Sequence, residues 1–248
     1  GALSIDSIVM AGGNLTLVAD GNVSITSITG TAGDVHIESK TGSIQINGLQ
    51  SAGDVVLKAA TTITAALEAD TLVLSANGAV SITETDSVEL LSYTQANTAS
   101  TFSLTAGGSV TASAAITTTG SATITLTAGT SGAGSLTVNQ ALTSNTGNVS
   151  LSGASGISMG VQGDVTTAGG AVSFTSSAGA ITMTEETVVN SGSGLISMSA
   201  QGNIQIGKLR TTNTSDFVIT STAGSVLDAG DGDLDIIASG AKLVISAA

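Results

Sequence analysis

His36 is the single histidine of the chain, and there is no cysteine at all. An imidazole needs a second partner to make a nucleophilic dyad or triad, or to hold a metal, and none is present. Flanked by Val35 and Ile37, His36 reads as an outward surface residue. Ser239-Gly240-Ala241-Lys242 has the Ser-x-x-Lys spacing of an acyl-transfer nucleophile and its base, but it has no companion motif, and in so serine-rich a chain the match is expected by chance. Asp34 and Asp54 could form the paired carboxylates of a glycosidase. Each follows a glycine in a turn, however, where a carboxylate caps backbone N–H groups. The acidic run Asp228-Ala229-Gly230-Asp231-Gly232-Asp233-Leu234-Asp235 could offer oxygens to Ca²⁺. It has neither the Gly-Gly-x-Gly-x-Asp repeat nor a Glu-terminated loop, so a solvated acidic turn is the default. Asn14, Asn22, Asn148 and Asn213 stand in Asn-x-Ser/Thr contexts, three of them generated by the repeat itself. No residue is therefore assigned to catalysis or to a metal, no cofactor is expected, and the chain is read as no enzyme.

Composition supports that reading. Trp is absent, with one Tyr (Tyr93) and three Phe (Phe102, Phe174, Phe217), so the aromatic platforms of sugar-processing clefts are missing. The apolar residues are mostly Ala, Val, Ile and Leu, which suit a thin core of small side chains on pleated strands. The absence of Pro agrees, since Pro removes a ladder hydrogen bond. A net charge of −13 disfavours nucleic acid and anionic membranes, both of which call for basic groups. No apolar run approaches the length of a spanning helix, so no membrane insertion is expected. Residues 90–163 contain no charge and no His, and their outer surface is a candidate for packing against another copy, a host surface or a glycan.

The elements that position these residues repeat. Gly13-Asn14-Leu15-Thr16-Leu17, Gly21-Asn22-Val23-Ser24-Ile25, Gly33-Asp34-Val35-His36-Ile37 and Gly42-Ser43-Ile44-Gln45-Ile46 share a small corner followed by apolar-x-apolar. Apolar residues two apart share one face of a strand, which must be the inside, and the residue between them points out. Strands this short need neighbouring coils to cover them. Ile28, Leu49 and Leu209, three residues after Ile25, Ile46 and Ile206, suggest a third side per coil. The spacing predicts an all-β fold: a right-handed parallel β-helix (β-solenoid) of about 11 to 12 coils of roughly 20 to 23 residues, on the order of 55 Å long. A single domain over 1–248 is expected, with a longer loop at Leu90–Ser100 where the rhythm breaks. The opening Gly1-Ala2-Leu3 lies in an apparent strand without an initiator Met, so the chain is expected to be a piece of a longer repetitive protein. Thr123-Ile124-Thr125-Leu126-Thr127 invites a lattice-matching, ice-binding reading, but Thr117-Thr118-Thr119 do not keep its register, and β propensity explains outward Thr.

The Gly-Asp-Val-x-Ile and Gly-x-Ile-x-Ile units resemble, over essentially the whole chain, the repeat regions of filamentous-haemagglutinin-type bacterial surface adhesins. That resemblance implies a secreted or cell-surface location and a β-helical shaft holding a binding region away from the cell. The Asn-Pro motifs of that family's amino-terminal secretion domain cannot occur in a Pro-free chain, so the resemblance is to the shaft. Its partners on this reading are neighbouring repeats or further copies of itself. A self-associating or ligand-binding module, and more remotely a carbohydrate-active β-helix, are the alternatives.

Overall fold

A computed structural model describes residues 1–30, 33–50, 53–95, 99–214, 217–230 and 232–248. These form an all-β structure without helices, a parallel β-solenoid of about 10 turns, close to the 11 to 12 expected. The strands fall into sheets of 12, 11 and 6 members. The first sheet begins with Leu3–Val9 and ends with Leu243–Ser246, the second runs from Leu15–Ala19 to Val226–Asp228, and the third from Ile116–Thr117 to Ile236–Ala238. Every pairing is between strands of adjacent coils.

Alternation sets what lies inside. In the first sheet Ile25, Ile46, Ala65, Ile82, Leu104 and Leu126 stand in register, and Leu151, Phe174, Met198 and Ile219 continue the column. All ten are buried, and they belong to one continuous apolar cluster reaching from Ala19 to Ile219. Volumes compensate along the column, Ala65 beneath Ile82 and Phe174 between Leu151 and Met198, as close packing requires.

Corners are tied by side chains reaching from one coil to the next. Asn22 Oδ1 accepts the Ser43 N–H at 3.0 Å, Asn148 Oδ1 that of Ala171 at 2.9 Å, and Asn203 Oδ1 that of Ser225 at 2.9 Å. Where coils meet most closely a side chain is excluded: a Cβ on Gly147 would sit 1.8 Å from the Ala122 carbonyl oxygen. Glycine at this corner is fixed by the coil below it, not by turn conformation.

Two expectations are corrected. The break at Leu90–Ser100 is not a loop as far as Gln95: Val88–Gln95 is an eight-residue strand of the second sheet. A bulge at Leu91 shifts its register, pairing Leu90 with Leu72 and then Ser92 with Val73. The extra residue turns Leu91 outward, 45% exposed, and reverses the alternation, which is why the rhythm fails in the sequence. Residues 96–98 lie outside the described residues. Ile28 and Leu49 do not form a third side, because they continue the bent seven-residue strands that hold Ile25 and Ile46. The third sheet starts only at Ile116, where the coil lengthens. The segments Ser43–Leu49 and Asn203–Leu209, alike at four of seven positions, occupy different sides: the strand Ile44–Gln50 lies in the first sheet, Ile204–Ile206 in the second and Lys208–Thr211 in the third.

The stacked core makes a direct prediction. Phe174 is 1% exposed, and Phe174→Ala should cost about 3–5 kcal/mol in denaturant unfolding. A loss below about 1 kcal/mol would mean that the column is not packed as described.

Candidate functional site

The residues singled out for chemistry are scattered around the coil. His36 points outward between Thr16 and Val56 on the neighbouring coils, with its Nε2 4.0 Å from a Glu38 carboxylate oxygen. Ser239 and Lys242 both lie exposed on the connection between the strands Ile236–Ala238 and Leu243–Ser246. Asp34 and Asp54 do stack, as their spacing predicts, but their oxygens are engaged by donors. Asp34 Oδ1 accepts the Asp54 N–H at 3.2 Å, the Asn14 amide donates to Asp34 Oδ2 at 3.3 Å, and the Thr71 hydroxyl donates to Asp54. The pair closes a ladder of corner caps. Asn14, Asn22, Asn148 and Asn213 are likewise held in cross-coil hydrogen bonds, the last donating to the Ser193 carbonyl at 2.6 Å.

In the acidic run, Asp231 lies outside the described residues. Asp228 accepts the Gly230 N–H at 2.8 Å, and Asp233 pairs with the Lys208 ammonium at 3.3 Å. Arg210 donates to the Asp235 carbonyl oxygen at 3.0 Å. One of these carboxylates, Asp233, is thus paired with a base from the coil below, while Arg210 binds the backbone of the run. Among the described residues no group of three or more His, Asp or Glu could hold a metal ion.

Two features escaped the sequence reading. Glu84 ends the strand Val80–Glu84 pointing inward, 2% exposed, in a first-sheet column whose later members are Ala106, Ala128, Gly153, Ser176 and Ala200. Its Oε1 accepts the N–H groups of Ala69 at 3.1 Å and Thr85 at 3.0 Å, while the buried Oε2 has no hydrogen-bond partner among the described residues. Burial pushes this carboxyl up to about 8, with the nearby Asp86 adding to the effect against the two backbone donors. The signal was present in the sequence: Val80-Ser81-Ile82-Thr83-Glu84 places Glu84 inside by strict alternation. The second feature follows the Leu91 bulge, where Tyr93 packs edge-on against Phe102 with ring centroids 4.6 Å apart. The Tyr93 hydroxyl and Gln95 Oε1 are buried without partners among the described residues, and burial raises the phenol's pKa.

The outer surface is more regular than the sequence suggests. Residues 90–163 pass through all three sheets, so they do not make one face. The uncharged face is instead the outward side of the first sheet from the strand Val80–Glu84 onward, since the earlier strands carry Asp6 and Glu68 on that side. There Ser81, Ser103, Thr125, Ser150, Ser173 and Ser197 form one column, and Thr83, Thr105, Thr127, Ser152, Thr175 and Ser199 a second. The register that Thr117–Thr119 break is therefore kept by a different sheet. Serine dominates the first column, which deprives it of the regular methyl groups an ice-matching surface would combine with hydroxyls.

No helix of the described residues is long and apolar enough to cross a membrane. No family model, curated protein or solved structure matches the chain.

Glu84 generates a pH prediction. Its folded-state pKa lies above the ordinary value of 4.5, so the stabilisation is fully present below about 4.5 and is lost as pH rises through about 8. Each pH unit in that window is worth at most about 1.4 kcal/mol. Thermal melts should fall between pH 5 and 8.5, and Glu84→Gln should flatten the profile and melt higher than the wild type at pH 8.5. An equally steep decline in the variant would assign the effect elsewhere.

Proposed function

We propose that the chain is a structural shaft or scaffold segment of a secreted or cell-surface bacterial adhesin or extracellular fibre, acting through length and rigidity and not through catalysis. The observation that carries this reading is the unbroken ladder of the first sheet, 12 strands over one continuous aliphatic core. Such a stack is quasi-one-dimensional: each coil adds length and is stabilised by its neighbours. The corner caps support it further, because they direct the chemistry-bearing Asn and Asp side chains into holding coils together. In small-angle scattering the protein should behave as a rod of about 55 Å. It should release no reducing or unsaturated sugar from a polysaccharide panel. A compact sphere, or sugar release abolished by an acidic-residue substitution, would overturn the reading.

A second reading, lateral self-association, is favoured by the hydroxyl face of the first sheet. On a molecule of net charge −13, that face is where two copies can approach with least repulsion. At about 3.3 Å per residue and about 4.8 Å per coil, the eight strands from Val80–Glu84 to Leu243–Ser246 span about 600 Å². A stable dimer buries about 800 Å² per partner, so this face suits a weak, concentration-dependent association. On this reading the mass in sedimentation equilibrium rises with concentration and returns to monomer in a Thr105→Lys, Thr127→Lys double variant. A wild type that stays monomeric at millimolar concentration excludes it.

A further inference from the structure

Coil length is not constant, and its change leaves a groove. Consecutive corners are 20 residues apart between Asp34 and Asp54, only 17 between Asp54 and Thr71, and 26 between Ser109 and Ser135. Where the coil contracts, the register of the first sheet jumps: Ile46 pairs with Ala65, but Leu49 with Leu67. Two residues, Asn47 and Gly48, face the single residue Ala66. The resulting step opens a groove of about 310 Å³, the size at which small-molecule sites begin. Bulges of this kind often re-aim side chains at binding sites.

Buried Ile28, Leu49 and Leu67 underlie the groove. Gly48 leaves it open, since a Cβ there would meet nothing nearer than the Thr26 carbonyl oxygen at 3.8 Å. Asn47, Gln50 and Glu68 line the walls, and no hydrogen bond or ion pair among the described residues occupies their side chains. Among the described residues lining it, Glu68 is the one that is charged and none is a base. Two carboxamide oxygens and a carboxylate around a narrow apolar floor offer three acceptors to a group with three donors on an alkyl stem.

We propose that this groove binds an alkylammonium group, presented either by a lysine side chain of a partner protein or by a free di- or polyamine. The net charge of −13 draws such cations toward the molecule, and the groove supplies the local acceptors. The proposal is independent of the shaft reading, since a rod with an empty groove remains a rod.

The test is an NMR titration of the full chain with cadaverine, spermidine and a tri-lysine peptide, with n-butanol as the uncharged control. Binding should shift the amides of Gly48, Gln50 and Glu68 first. Glu68→Gln should weaken it by about tenfold, in line with loss of a charge-assisted hydrogen bond. Gly48→Val should block the groove, and Gln50→Ala serves as an independent variant should Gly48→Val fold poorly. A tri-lysine preference assigns the lysine source, and a cadaverine or spermidine preference assigns the free amine. Shifts spread evenly over all surface acids, equal affinity for Glu68→Gln, binding of butanol as tight as that of cadaverine, or no shift at millimolar ligand would each overturn the proposal.

Discussion

Everything in this molecule depends on one coil covering the next. A five-residue strand such as Phe102–Ala106 offers only Phe102, Leu104 and Ala106 to the interior, too little to repay the ordering of its backbone alone. Stacked between Val80–Glu84 and Ile124–Ala128, it gains a ladder of hydrogen bonds on both edges and an apolar column above and below. Folding free energy is therefore collected between coils, at separations of about 20 residues, and hardly at all within them.

That constraint explains how the interior tolerates polar groups. At the end of the third sheet Thr118, Ser144, Thr167, Ser191 and Thr211 are all buried, and each hydroxyl donates to a backbone carbonyl. Thr118 and Ser144, on adjacent coils, share the Ala122 carbonyl oxygen, so these hydroxyls also bind coil to coil. A short hydroxyl can satisfy itself in a corner because a free carbonyl is always within reach there. Glu84 is the contrast. Its carboxyl is too large for a column of Ala, Gly and Ser, and only one of its oxygens finds donors. Such a group is tolerated inside because it can take up a proton.

The interior was legible in the sequence because it obeys a period of two. Val23, Ile25, Ile44 and Ile46 were read as inward from alternation alone, and they are. Corner capping was legible from the repeat, since Asp34 and Asp54 recur at one coil's spacing, although Asp34 caps the N–H of Asp54 on the next coil and not its own turn. What failed was everything that depends on which side of the coil a segment occupies. Asn203–Leu209 shares four of its seven residues with Ser43–Leu49 and yet lies on other sheets, because position around the coil depends on the summed lengths of the preceding corners. One inserted residue at Leu91 was enough to make a strand look like a loop.

The same asymmetry explains where function can reside on a solenoid. Inward columns are fixed by packing, and the N–H and C=O groups of all but the terminal strands are consumed by pairing, so neither can vary without damage to the stack. Outward strand positions carry no such obligation, and a change in coil length alters the surface relief there while the core columns continue unbroken. Leu49 and Leu67 remain stacked across the step at which Asn47 and Gly48 meet a single Ala66. The contraction leaves the interior continuous and concentrates its effect outside, as a groove with unspent polar side chains on an otherwise regular wall. In a fold built by repetition, the places where the repeat changes length are where a surface can differ from its neighbours, and a binding site has to differ.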